Sequence, residues 1–140
     1  MALKRSELSI GGEHELVVVD NLTRSQIVQY AGASGDYNPL HTDEVYTTEV
    51  AGYPSVFAHG MLTMGATGRM LTDYVGDGRL MDFGGRFLAQ VWPGDTLIAR
   101  ATVVAFAARD DLTTVELLVS TTNAQGVEVF RGKATARIDA

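Results

Sequence analysis

Thr114-Val-Glu-Leu-Leu-Val-Ser120 is the stretch that decides the fold of this chain. The apolar residues at its second, fourth and sixth positions alternate with residues on the opposite face, and this period of two is typical of a β-strand. Residues 130–138 repeat the alternation, with charged or polar residues at every second position. Turn-forming residues separate such stretches, so we predict an antiparallel sheet from Arg79 onward.

The chain before this sheet combines one strand with helices. Residues 15–20 predict a short strand, and Thr23-Arg-Ser-Gln26 is a capping box that predicts a helix over residues 24–32. A second short helix is expected to end before Gly52, and residues 59–74 predict a long buried helix. The fold class is therefore α+β, with a sheet packed around a helix. The apolar side of the first helix is expected to consist of Ile27, Val28, Tyr30 and Ala31.

The composition favours one domain, residues 1–140, and excludes several functions. The 140 residues include no cysteine, which excludes disulfides and thiol catalysis. The 17 acidic and 11 basic residues give a net charge of -6, and the basic residues are scattered, so nucleic acid is not an expected partner. No apolar run approaches the roughly 20 residues needed to cross a bilayer, and no signal-peptide pattern is visible. We therefore expect a cytoplasmic protein without a membrane span.

The turn Ser34-Gly-Asp-Tyr-Asn-Pro-Leu-His41 is the first candidate for chemistry. It places the Asp36 carboxylate and the His41 imidazole five residues apart, and the turn could aim both groups at one water molecule. Such a pair could deprotonate an attacking water and return a proton to carbon. A purely structural interpretation also stands at this stage, because Asp and Asn side chains commonly cap turn amides and a lone histidine is often simply packed.

The second candidate is Phe57-Ala-His-Gly-Met61, at the expected start of the long helix. Amides at a helix N-terminus lack intrahelical acceptors, and the helix dipole adds positive charge there. A glycine at this point, Gly60, would let a thioester carbonyl approach the backbone, which would then stabilise negative charge on that oxygen. The alternative is that Gly60 merely starts the helix and His59 packs.

The segment Tyr30-Ala-Gly-Ala-Ser-Gly-Asp-Tyr-Asn-Pro-Leu-His41 resembles the signature of the MaoC-like, or (R)-specific enoyl-CoA hydratase, family. That signature is an aromatic residue, a small Ser-Gly pair, Asp, any residue, Asn-Pro, an aliphatic residue and His. His59-Gly-Met-Leu-Thr63 and Val91-Trp-Pro-Gly-Asp-Thr-Leu97 also follow the order of the family, so the resemblance covers essentially the whole chain. Residues 58–65 are especially similar to the catalytic B subunit of mycobacterial (3R)-hydroxyacyl-ACP dehydratases.

The resemblance implies a hot-dog fold, in which a curled antiparallel sheet wraps around a long central helix. It implies Asp36 and His41 as the catalytic pair, and the Gly60 amide as the oxyanion donor, in a tunnel near a dimer interface. It implies no metal ion and no cofactor, because CoA or acyl carrier protein enters as the substrate carrier. The family usually has a small Ala or Ser at the position of Thr47, and some members have Ser at the position of Gly68. These departures mean that the resemblance does not determine the shape of the acyl pocket. The residues expected to bind substrate or support the site are Ser34, Asn38, His59 and Met61.

The principal hypothesis is therefore a hydro-lyase that interconverts trans-2-enoyl thioesters and (3R)-hydroxyacyl thioesters by syn addition or elimination of water. One alternative is a hot-dog acyl thioesterase, which the complete Asp-x-Asn-Pro-x-His turn argues against. Another is a subunit of a heteromeric acyl-ACP dehydratase. The expected partners are an acyl-CoA or acyl-ACP thioester and a second copy of the chain, or a related hot-dog subunit in a heterodimer.

Overall fold

A computed structural model describes residues 2–140, in which five antiparallel strands form one sheet. The order across the sheet is β1-β3-β4-β5-β2. Strands β1 and β2 therefore lie at opposite edges, and the segment that contains α1 and α2 connects them. The two stretches with a period of two lie within β4 and β5, and both are confirmed as neighbouring strands. The strands are β1 Glu13–Val19, β2 Leu80–Phe87, β3 Leu97–Arg109, β4 Leu112–Asn123 and β5 Glu128–Ile138.

The helices lie where the sequence predicts them. Helix α1 spans Arg24–Ser34 and helix α2 spans Gly60–Val75, while Arg5–Glu7 forms a 3₁₀ turn and Tyr46–Val50 a π-helical turn. The capping box at the start of α1 is confirmed, because the Gln26 amide donates to Thr23 Oγ1 over 3.0 Å. No helix within residues 2–140 has the length and apolar character that a membrane crossing requires.

The apolar side expected for α1 is only partly correct. Ile27 and Ala31 are buried, at 0% and 2% exposure, but Val28 is 54% exposed. Residues separated by four positions lie on one face of a helix, whereas adjacent residues are about 100° apart. The buried face of α1 is therefore narrow, and Val28 lies outside it.

The core lies between α2 and the concave face of the curled sheet. Met70, Leu71 and Val75 of α2 are each 0% exposed, and the inward residues of β4 are buried to the same extent. The guanidinium of Arg69 donates to the carbonyl of Val18 over 2.8 Å, which joins α2 to the edge strand β1. A curled sheet around a long central helix is the hot-dog fold expected from the sequence.

Two glycines face each other across β2 and β5. Gly85 is the register partner of Gly132, and no side chain separates the two backbones at this pair. A β-carbon on Gly132 would collide with the carbonyl of Gly84, and one on Gly85 would collide with the Arg131 carbonyl and the Phe130 ring. The edge strand β2 can therefore lie against β5 only because both positions lack a side chain.

Candidate active site

The turn between α1 and the π-helical segment is held by its own side chains. The Asp36 amide donates to Ser34 Oγ over 3.2 Å, and the Asn38 amide donates to Asp36 Oδ1 over 3.2 Å. The Leu40 amide then donates to Asn38 Oδ1 over 3.0 Å, while the His41 amide donates to the Asn38 carbonyl over 3.0 Å. These contacts fix one carboxylate oxygen of Asp36 and leave Oδ2 free to face His41.

Asp36 and His41 form a pair with room for a small ligand between them. Asp36 Oδ2 lies 3.9 Å from His41 Nε2, and the side chains are 52% and 11% exposed. This separation is longer than a direct hydrogen bond of about 2.8 Å and shorter than twice that length, so one water molecule can bond to both atoms. The pair therefore has the spacing needed to hold and orient a water.

The tautomer of the neutral His41 ring is fixed by Phe57. His41 Nδ1 lies 2.7 Å from the Phe57 carbonyl, and a carbonyl can only accept a hydrogen bond. In the neutral ring the proton is therefore on Nδ1, and Nε2 presents a lone pair toward Asp36. The Phe57 ring also packs edge-on against His41, with the centroids 5.4 Å apart.

His59 joins the turn to the start of α2. Its side chain is buried, and Nε2 donates to the Asp36 carbonyl over 3.0 Å. Its ring stacks on His41 with the centroids 3.8 Å apart and packs against Tyr30. Burial lowers the pKa of His59, which the hydrogen bond to Asp36 opposes and the nearby His41 reinforces. His59 is thus a neutral support for the pair, a role that requires contacts across 23 residues of sequence.

The first turn of α2 presents unpaired backbone donors. His59 is the N-cap residue, and its side chain makes no capping hydrogen bond. Its carbonyl accepts from the amides of Leu62 and Thr63, over 3.1 and 3.5 Å. The amides of Gly60 and Met61 have no backbone acceptor among the residues described, as is normal for a helix start. They form a site where a developing oxyanion can accept hydrogen bonds.

A cavity of about 320 Å³ lies beside Gly60. Gly60 and Thr63 line it, whereas Asp36, His41 and Met61 do not. Phe57 lines the cavity and its carbonyl accepts from His41 Nδ1, so this residue joins the cavity wall to the catalytic pair. The side chain of Met61 is 55% exposed. The main apolar residues of the wall are Phe57, Ala58, Phe87, Leu88, Val91 and Val129.

The ring of Phe87 explains why position 60 needs a glycine. A β-carbon on Gly60 would lie 2.9 Å from Cε2 of Phe87, closer than ordinary carbon contacts allow. Phe87 is itself 48% exposed, and its ring packs against Phe130 with the centroids 5.6 Å apart. No sequence pattern connects these two residues, which are distant along the chain.

Three groups of the site could also be considered as metal ligands. Asp36, His41 and His59 each bring one donor atom to within 4.8 Å of the others. The two imidazole planes are stacked at an angle of only 24°, so their in-plane lone pairs do not converge on one point. Nδ1 of His41 and Nε2 of His59 already donate to carbonyls. The arrangement is suited to hydrogen bonding and proton transfer, and the expectation of a metal-free site stays a prediction.

Comparison with known proteins identifies the family. Residues 6–125 match the MaoC like domain, and the chain belongs to this family. The (R)-specific enoyl-CoA hydratase of Rhodospirillum rubrum is 31% identical over 121 residues, which cover 85% of this chain and 81% of that protein. The 3-hydroxyacyl-thioester dehydratase Y of Mycobacterium tuberculosis is 38% identical over 82 residues, which cover 56% of this chain but 28% of that protein. The chain therefore spans little more than a quarter of that relative's length.

Solved structures support the same fold. The R-hydratase PhaJ1 of Pseudomonas aeruginosa superposes with a TM-score of 0.86 at 24% identity, covering 99% of this chain and 86% of that one. A chain of the HadBC (3R-hydroxyacyl-ACP dehydratase) complex of M. tuberculosis superposes with a TM-score of 0.69 at 20% identity, covering 91% of this chain and 96% of that one. At these identities the likeness establishes the hot-dog fold and nothing finer.

Proposed function

We propose that this protein is an (R)-specific hydratase/dehydratase that interconverts trans-2-enoyl thioesters and (3R)-hydroxyacyl thioesters. The observation that carries the proposal is the 3.9 Å separation between Asp36 Oδ2 and the lone-pair nitrogen of His41. A carboxylate and an imidazole at this spacing hold a water, and the free Gly60 amide is the electrophilic partner that the reaction needs. The names of the hydratase and dehydratase relatives support the same reaction class.

In the hydration direction the water oxygen forms a bond to C3 of the enoyl thioester as one water proton moves to His41 Nε2. The π electrons of the C2–C3 double bond move toward the thioester oxygen, which becomes an enolate and accepts a hydrogen bond from Gly60 N–H. Asp36 orients the water and stabilises the imidazolium. The proton then returns from the pair to C2, on the face that received the hydroxyl group, so addition is syn and no proton is gained or lost.

The supporting residues act through the pair. Asn38 and Ser34 hold the turn that aims the Asp36 carboxylate, and His59 donates to the Asp36 carbonyl while stacking on His41. Met61 contributes through its backbone at the start of α2, because its side chain is 55% exposed and is not part of the cavity wall. Neither a metal ion nor a redox group takes part in the proposed reaction.

The test is a direct assay with crotonyl-CoA. We expect the enoyl-thioester absorbance to fall and the product to be (3R)-hydroxybutyryl-CoA on chiral analysis. Asp36→Asn should lower kcat by about 10³-fold with the fold retained, because general acid–base catalysis contributes on that scale. Asp73→Asn is a matched control, since Asp73 is 55% exposed against 52% for Asp36 and lies outside the site. Release of free CoA would indicate a thioesterase instead, and undiminished activity in Asp36→Asn would contradict the mechanism.

The carrier and the assembly belong to the same proposal. A pair of hot-dog subunits, either two copies of this chain or this chain with a related subunit, would complete a substrate tunnel. The HadBC neighbour is itself a complex, and the presence of both Asp36 and His41 supports the catalytic role for this chain in such a pair. Gel filtration with light scattering separates a homodimer from a chain that needs a partner, and parallel assays with acyl-CoA and acyl-ACP identify the carrier.

A further inference from the structure

Two polar side chains that the reaction described above does not use, Thr63 and Gln90, line the cavity beside Gly60. Thr63 lines this cavity together with Gly60, and Thr63 is only 2% exposed. Its Oγ1 has no hydrogen-bond partner within residues 2–140. The Oγ1 atom is itself inaccessible to solvent, although Thr63 lines the cavity. Buried polar groups are nearly always hydrogen-bonded, and a ligand bound in the cavity would supply the missing partner.

Helix geometry places this hydroxyl near the Gly60 amide. Residues three positions apart lie on one face of an α-helix, and each side chain points back over the preceding turn. The Thr63 side chain therefore lies over the turn that begins with Gly60. That turn already has two free amides at the positive end of a helix of 16 residues. The unpaired hydroxyl and the unpaired amides are thus independent features of one small region.

Thr67 shows what a satisfied threonine looks like in the same helix. Its Oγ1 donates to the carbonyl of Thr63 over 2.8 Å and shares a hydrogen bond with Thr121 Oγ1 over 2.6 Å. The corresponding acceptor for Thr63 would be the His59 carbonyl, four residues earlier, but Thr63 Oγ1 makes no such bond. The hydroxyl is not hydrogen-bonded to the other unpaired buried atom, His59 Nδ1, either.

We infer that the Thr63 hydroxyl is a second substrate-contacting donor, which joins the Gly60 amide at the thioester carbonyl oxygen. This inference rests on the proposed hydratase function and adds a side chain to its oxyanion site. The hydroxyl keeps its proton throughout and donates a hydrogen bond that strengthens as enolate charge develops on the oxygen. Gln90 is the other polar side chain of this wall, so few groups of the described residues compete for that bond.

The test compares Thr63→Val, Thr63→Ser and Thr67→Val in the crotonyl-CoA assay. Thr63→Val keeps the shape and removes the hydroxyl, and we expect kcat to fall by about 100-fold, the usual effect of losing one oxyanion donor, with KM little changed. Thr63→Ser keeps the hydroxyl and should retain most of the activity. Thr67→Val is the matched control, one turn away and equally buried, and its kcat should equal that of the unmodified protein.

The melting temperature separates this role from a structural one. Thr63→Val should melt no lower than the unmodified protein, because the substitution removes an unpaired polar group. Undiminished kcat in Thr63→Val, or equal losses in Thr63→Val and Thr63→Ser, would overturn the inference while leaving the hydratase function intact. An unmodified protein that does not hydrate crotonyl-CoA or an acyl-ACP would overturn both. Thr63→Ala replaces Thr63→Val if the latter does not fold.

Discussion

Thr63 and Thr67 lie one turn apart on α2 and are both buried, but only the Thr67 hydroxyl has hydrogen-bond partners within residues 2–140. The same contrast separates the two regions to which they belong. The first turn of α2 contains free amides, an unpaired hydroxyl and an adjoining cavity. The part from Thr67 to Val75 packs tightly and leaves no fully buried side-chain polar atom without a partner among the described residues. Groups left unpaired inside a protein reduce its stability, so the first turn carries a cost that the rest of the helix does not.

The difference shows how one helix serves two purposes. The later turns fix the position of α2 in the curled sheet through Met70, Leu71 and Val75, each 0% exposed. These packed turns hold the first turn in place although its Gly60 and Met61 amides and its Thr63 hydroxyl are unpaired. Donors to an oxyanion must be held rigidly to be effective. We therefore expect substitutions in the later turns to change stability and those in the first turn to change activity.

The largest effect on stability is expected from Leu71→Ala. Leu71 is 0% exposed, and removing a buried leucine side chain typically costs about 2–5 kcal/mol through lost burial and the cavity left behind. Urea unfolding measures the change, and kcat per folded molecule should be unaltered. Met61→Ala is the control from the first turn, where a 55% exposed side chain should change stability by less than about 0.5 kcal/mol. Equal losses of unfolding free energy in the two variants would contradict the proposed difference between the first turn and the later turns of α2.

A smaller effect is expected from the threonine pair. Thr67→Val leaves Thr121 Oγ1 buried without its partner, which should cost about 1–3 kcal/mol. Adding Thr121→Val removes the second hydroxyl, and the double variant should recover much of that loss in urea unfolding. Thr63→Val should show no comparable loss. A destabilisation by Thr63→Val as large as that of Thr67→Val would mean that the two hydroxyls are equally engaged in the fold.

The smallest effect concerns pH and His59. Burial lowers the pKa of His59 below its ordinary value of 6.5, so the unfolded chain binds a proton more readily than the folded one. The free energy of unfolding should therefore fall as pH drops below 6.5, by at most about 1.4 kcal/mol per pH unit from this residue. Thermal melts between neutral and mildly acidic pH measure the slope, which should be shallower in His59→Asn.

Two carboxylates titrate outside that interval. A hydrogen bond from Arg24 lowers the pKa of Glu44, and one from Ser120 lowers the pKa of Glu128. Their contributions to stability are present above the ordinary glutamate value of 4.5 and are lost as pH falls through the lowered values. An identical slope near pH 6 in His59→Asn and the unmodified protein would show that His59 is not the group responsible.

Much of the fold could be predicted from local patterns. The period of two in residues 114–120 and 130–138 predicted two strands, and the Thr23 capping box predicted the start of α1, because these signals depend on neighbouring residues alone. The exposure of Val28 was not predicted, since its environment is set by how α1 packs against the rest of the chain. The sequence of a single short segment contains no signal for such tertiary packing.

The candidate site divides in the same way. The sequence pointed to Asp36, His41 and Gly60 as the reacting groups, and the structure places the first two 3.9 Å apart. The stacking of His59 on His41 depends on contacts between distant segments and could not be predicted. The unpaired state of Thr63 is equally invisible in sequence, although its position three residues after Gly60 was a signal for a shared helix face.

The Gly85 and Gly132 pair has a consequence for protein engineering. The two backbones are in direct contact at this residue pair. Any substitution of either glycine would therefore force β2 away from β5. Phe87 and Leu88, close by along the chain, are about half exposed and line the cavity, so exchanging their side chains removes little buried packing. Under the proposed function, selections for altered acyl length should accordingly enrich changes at those two positions and recover glycine at the other two.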